Sequence, residues 1–222
     1  MSERLTDCPN WKYLLQEFDV LYRHGSAGGS KAIRSHRKRV RDTLSAIIDT
    51  DPFIVTAEPI QKPVTAHLSR ALDLGARSAV SGVARALGHV AGSLAWTYGY
   101  PSVPKPLSKK YAYAEILGPN GPVQANGLVL GFVLFAPGTT YPQHAHQDIE
   151  ESYVSVAGAW SENDSAVYAP GSLILNRSGV EHRITTGEQD PCLLAYAWFG
   201  PAERLATPGM KFSARRPSKL GT

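Results

Sequence analysis

The chain has 222 residues, 43% of them hydrophobic, enough for one core or one core plus a helical appendage, and this excludes large-scale disorder. No window reaches the roughly 18 uninterrupted apolar residues of a membrane helix, and the opening Met1 to Cys8 lacks an apolar signal core, so a cytoplasmic protein without a membrane partner is expected. Net charge is +4, with the basic excess concentrated in Lys31, Arg34, Arg37, Lys38, Arg39 and Arg41 and in the tail at Arg215, Arg216 and Lys219.

Neither basic run carries a recognition motif or interleaved aromatics, so both read as a solvated helix face and a frayed terminus, and no nucleic-acid partner is expected. Cys8 and Cys192, one near each end, form no disulfide framework and read as free thiols.

In chain order, Trp11, Leu14, Leu15, Phe18 and Leu21 have helical spacing, and a second helix is expected from about Ser30 to Ile48. Gly25 to Ser30 separates them as a turn. Val64 to Ala91, with Leu68, Ala71, Leu72, Gly75, Val83 and Leu87, predicts one or two further helices. The prolines from Tyr98 to Pro106 mark a connector.

Beyond the connector the period changes to that of strands. They are expected at 111–117, 127–136, 144–146, 151–157, 166–168, 172–176, 181–185 and 192–199, separated by Pro-Gly, Pro-Asn-Gly and Asn-Asp turns. The expectation is an α+β chain: a helical region over 1–105, an antiparallel β-barrel over 106–205 and a tail over 206–222.

The chemistry-bearing stretch runs from Gly138 to Gly158. His144 and His146 lie two apart, so on a strand both project to one side, and Glu151 returns a carboxylate to the same pocket on the next strand. A fourth ligand is expected from His182, just after the turn residue Gly179. Imidazole and carboxylate together suit a divalent transition ion such as Fe, Zn, Mn, Ni or Co, and three histidines with one glutamate leave positions open for a substrate. The isolated His24, His36, His67 and His89 read as surface or hydrogen-bonded histidines.

The two segments resemble the paired motifs of the cupin superfamily. The first matches as Gly138, His144, His146, Glu151 and Gly158, and the second as Gly171, Gly179 and His182, with Arg177 where a proline is usual. Cupins accept three or four residues between the second histidine and the glutamate, so Glu150 competes with Glu151. Glu151 is preferred because its spacing to Gly158 fits and because alternation then puts Tyr153 on the ligand face. That register sends Val154 and Val156 to the other face, to be covered by the N-terminal segment or by a second subunit, which leaves a homodimer open.

His-x-His followed by Glu-x-Tyr, with Tyr141 upstream and Tyr196 and Trp198 on the last strand, resembles the cupin lyases of dimethylsulfoniopropionate (DMSP). The helical first half is similar to that of the longer, DddL-type branch. The resemblance implies β-elimination of DMSP to dimethyl sulfide and acrylate. The metal would take the carboxylate, Tyr153 would act as base, and Tyr141 would orient substrate or assist. Tyr196 and Trp198 would hold the sulfonium by cation–π attraction of roughly 0.5–2 kcal/mol per contact. A phenol of pKa about 10 needs a nearby positive charge for that task. The ligand set also accommodates an Fe(II) dioxygenase or a sugar isomerase. A ligand-binding regulator would need a helix-turn-helix between Gly25 and Ile48, and none is evident.

Overall fold

The computed structural model describes residues 3–24 and 29–209. The turn expected at Gly25 to Ser30 falls largely outside these residues, and the basic tail at Arg215, Arg216 and Lys219 falls wholly outside them.

Four helices of two turns or more form the first half: α1 (Pro9–His24), α2 (Lys31–Asp49), α3 (Leu68–Gly75) and α4 (Ser81–Val90). Proline at the start of α1 has its fixed φ already helical and no N–H to leave unpaired. Leu14, Leu15, Phe18, Leu21 and Tyr22 then form one buried face. Ser30 caps α2 by accepting the Ile33 N–H at 3.3 Å, and His36, Val40 and Leu44 are its buried residues.

The basic run on α2 is largely exposed, but it also makes contacts. Arg37 reaches the Tyr22 carbonyl at 2.9 Å, and Arg39 pairs with Glu150.

Two short strands, β1 (Glu3–Arg4) and β2 (Phe53–Ile54), depart from the all-helical expectation for this half, since both join the large sheet. A four-residue helix, α5 (Lys105–Ser108), ends the connector.

The second half supplies β3 (Tyr111–Gly118), β4 (Val123–Gln124), β5 (Val129–Phe135), β6 (Thr140–His144), β7 (Glu150–Ala157), β8 (Trp160–Glu162), β9 (Val167–Tyr168), β10 (Leu173–Asn176), β11 (His182–Thr186) and β12 (Cys192–Phe199), then α6 (Ala202–Ala206). β4 and β8 escaped the sequence reading because two or three residues carry too little periodicity. The strand expected at 144–146 ends at His144, so His146 sits in the following loop.

Rather than closing into one barrel, the strands form two sheets in a jelly-roll-type α+β fold. The large sheet has the order β1-β2-β4-β3-β5-β12-β7-β10, and the small one β6-β11-β8-β9. Most neighbours are antiparallel, and β3 with β4 is a parallel pair.

Strand alternation gives the large sheet two apolar faces. Ala112, Ala114, Phe132, Val154, Val156 and Ala195 pack with the helices, and Phe18 meets Phe132 with ring centroids 5.1 Å apart. Tyr111, Val133, Phe135, Tyr153, Tyr196 and Trp198 form a second core with Ile184 and Trp160 of the small sheet.

Val154 and Val156 are fully buried, and the space beside Gly75 of α3 is filled by Ala84 and Val156. The N-terminal helices therefore cover this face, and it gives no support to a second subunit. No described helix is long and apolar enough to cross a membrane.

Candidate active site

β6, β7 and β11 converge at one end of the space between the sheets. His182 is directly paired with His144 across β11 and β6, which brings their ring centroids to 4.1 Å. Gly179 precedes β11 with φ +75°, a left-handed turn that L side chains rarely adopt, and its N–H bonds the His146 carbonyl at 2.9 Å. The two motif segments are thereby tied to each other through backbone.

His144, His146, Glu151 and His182 are all buried, and one potential ligand atom from each lies within 4.8 Å of the others. Donors on a single ion at about 2.0–2.2 Å sit up to about 4.4 Å apart, so inward shifts of a few tenths of an ångström would close the set.

The nitrogens face the right way for this. His144 Nδ1 lies 2.9 Å from the Pro142 carbonyl and His182 Nδ1 lies 3.2 Å from that of Val180. A carbonyl only accepts, so each Nδ1 carries the proton and each Nε2 offers its lone pair. The Nε2 atoms of all three histidines are buried, and none makes a well-aligned hydrogen bond, although those of His146 and His182 lie near Glu151 Oε2. Buried polar atoms are costly to leave unmatched, and one shared cation would satisfy them together.

Glu151 is the charge at the centre. Its Oε2 lies 3.3 Å from His146 Nε2 and 3.1 Å from His182 Nε2, while Trp198 donates its indole N–H to Oε1 at 2.6 Å. Burial pushes the carboxyl up, but His146 and His182 outweigh it and hold the group well below the usual range. Burial pulls His182 down, and Glu151 more than restores it, so its pKa is raised. Burial and the neighbouring His182 drive His144 down to about 3. His144 thus stays neutral, as a ligand must.

Glu150 points the other way. Its Oε1 meets His36 Nδ1 at 2.6 Å and pairs with Arg39, both on α2, while His36 Nε2 bonds Ser152 Oγ at 2.8 Å. Of the two adjacent glutamates, only Glu151 lies among the three histidines.

The predicted aromatics line the same pocket. Tyr153 lines the pocket with Glu151, and burial first, then the Glu151 charge, raises its pKa well above that of a free phenol. The Tyr141 ring is 4.8 Å from that of His144, and the Tyr196 and Trp198 rings are 5.1 Å apart.

Tyr100, Tyr111, Tyr113 and Trp160 also belong to this cluster and were not foreseen. The alternation Tyr111-Ala-Tyr113-Ala carried a signal for two of them. Tyr100, whose ring centroid lies 6.1 Å from that of Tyr141, comes from the connector, where no periodicity announces a buried ring. The free space amid these rings is only about 20 Å³, room for one water molecule, so substrate entry requires some of them to move.

The match to known proteins is extensive. The family model for dimethylsulfoniopropionate lyase matches residues 36–194. A Cereibacter sphaeroides protein named "Putative dimethylsulfoniopropionate lyase DddL" is 67% identical over 98% of this chain and 94% of its own length.

Among solved structures, a chain from the crystal structures of the DMSP lyases RdDddP and RnDddQII superposes with a TM-score of 0.67 at 20% identity, covering 93% of this chain and 98% of that one. The DMSP lyase DddQ from Ruegeria pomeroyi gives 0.65 at 21% identity, covering 86% and 92%. At such identities the structures speak for the fold, whereas the family model and the Cereibacter relative identify the chain. It belongs to the DMSP lyase family, enzymes that break a carbon–sulfur bond.

Proposed function

We propose that the chain cleaves DMSP by β-elimination at the pocket beside Glu151, with Tyr153 as general base. The observation that carries this reading is the convergence of three buried Nε2 atoms and the Glu151 carboxylate beside a pocket that Tyr153 also lines. A divalent transition ion held by His144, His146, Glu151 and His182 would supply Lewis-acid stabilisation of the substrate carboxylate as the neighbouring C–H loses its proton.

The chain's own residues do the rest. Tyr153 takes that proton, and the electron pair left on carbon forms the double bond of acrylate as the C–S bond breaks to dimethyl sulfide. In the metal-free pocket the phenol is held protonated by burial and by Glu151, so its use as a base requires that negative charge to be offset. Tyr141, wedged between His144 and Tyr100, is placed to fix the substrate's orientation, and the faces of Tyr196 and Trp198 offer a surface for the sulfonium.

The test is to incubate metal-loaded protein with DMSP and measure dimethyl sulfide in the headspace, beside Tyr153→Phe and His182→Ala. Gas from the parent and a loss of at least about 100-fold in kcat for Tyr153→Phe are expected. A parent protein that makes no gas ends the reading, and a fully active Tyr153→Phe ends the base assignment.

A further inference from the structure

The largest space described in the molecule is not the catalytic pocket. A cavity of about 510 Å³ opens where the N-terminal segment and residues 93–97 meet β3 and the turn that follows it. We propose that this cavity, walled by Glu115, Glu3, Tyr113 and Trp11, is a second binding site for a small sulfonium or quaternary-ammonium cation.

Charge is the first argument. In a chain of net charge +4, not one lysine, arginine or histidine lines this cavity, while two carboxylates do. The walls also include the aromatic rings of Trp11 and Tyr113 and the apolar side chains of Ile54 and Leu94. Carboxylate with aromatic and apolar surface suits an organic cation whose charge is spread over methyl groups. A hard metal ion would demand more oxygen ligands than this wall provides.

Glu115 makes the cavity more than a dent in the surface. It lies on the same face of β3 as Tyr111 and Tyr113, and its Oε1 accepts the Asn120 N–H at 2.8 Å. No ion pair among the described residues engages it. Burial pushes its carboxyl up to about 7 even though Asn120 and Gly121 donate to it, and a bound cation would reverse that penalty.

Tyr196 lies on the catalytic-pocket side of the wall between the two spaces. Tyr196 is paired with Gly131 and Gly131 with Glu115, so the three stand in one row across β12, β5 and β3. Gly131 has no side chain, and a Cβ there would lie 2.5 Å from Tyr196 Oη. The phenol therefore leans over Gly131 toward the strand of Glu115. Its hydroxyl is buried, with the residue 2% exposed, and it has no hydrogen-bond partner. Tyr113 borders both spaces and, with Tyr196, forms the partition between this cavity and the catalytic pocket.

This inference does not depend on the elimination chemistry, and its probe is not the substrate. Tetramethylammonium chloride is titrated calorimetrically into the protein as purified, with sodium chloride as the ionic-strength control, using the parent, Glu115→Gln, Trp11→Leu and Glu151→Gln. Heat of binding is expected for the parent, with affinity about tenfold weaker in Glu115→Gln, weaker also in Trp11→Leu, and retained in Glu151→Gln. Three results would each overturn the proposal: no binding to the parent, equal affinity in folded Glu115→Gln and Trp11→Leu, or loss in Glu151→Gln alone, which would put the cation in the catalytic pocket.

Discussion

Trp198 donates its indole N–H to Glu151 Oε1, leaving Oε2 to face His146 and His182. The indole thus acts on the carboxylate before it can act on any substrate cation, and it fixes which oxygen the cluster presents. Trp198→Phe keeps the ring and removes the donor. We expect about 10- to 100-fold weaker metal binding, read by competition with a chelator, as is typical when an outer partner of a metal ligand is lost.

Glu150 and Glu151 separate by readout. Glu151→Ala should abolish bound metal, measured by elemental analysis of the purified protein, because it removes the cluster's only carboxylate. Glu150→Ala should retain the metal and instead lose about 1–3 kcal/mol of folding stability, measured by urea denaturation, because it leaves buried His36 without its carboxylate partner. The reverse pattern would exchange their roles.

Two glycines make a matched pair. A methyl group at Gly131 would meet the Ala114 carbonyl at 2.4 Å and Tyr196 Oη at 2.5 Å, so Gly131→Ala should cost about 1–3 kcal/mol and displace Tyr196. Gly88 in α4 has open space around it, and Gly88→Ala should gain about 0.5–1 kcal/mol. Denaturation of the two variants side by side checks both signs.

Acid should weaken the fold partly through His36. Burial, only partly opposed by Glu150, lowers its pKa below the ordinary 6.5. Below pH 6.5 the unfolded chain therefore takes up a proton that the folded one refuses, and stability falls as pH falls from there toward the folded value. Urea denaturation of metal-free protein at pH 7, 6 and 5 should show that decline. His36→Gln should show a shallower one, and an unchanged slope would remove His36 as a cause.

The cluster of three histidines and one glutamate was legible because cupin-type spacing is a local property: His144, His146, Glu151 and His182 can be counted along the chain. That Glu150 and Glu151 face opposite ways also follows from strand alternation, whereas the preference for Glu151 rested in addition on its spacing to Gly158. What stayed hidden depended on contacts far apart in sequence. Tyr100 is buried beside Tyr141 by a connector without periodicity, and His36 reaches Glu150 from 114 residues away. The Val154/Val156 face was read as needing a cover, but nothing local could say that α3 and α4 supply it. The two-sheet form was equally beyond a pattern that reports strands but not their closure.

β7 is a wall with a room on either side. Glu151 and Tyr153 face the aromatic-lined pocket between the sheets, while Ser152, one residue from each, is gripped from behind by Tyr22 and His36. The helical half therefore braces β7 from behind. A change at Tyr22 or His36 would reach Glu151 and Tyr153, on the far face of β7, through a single peptide unit.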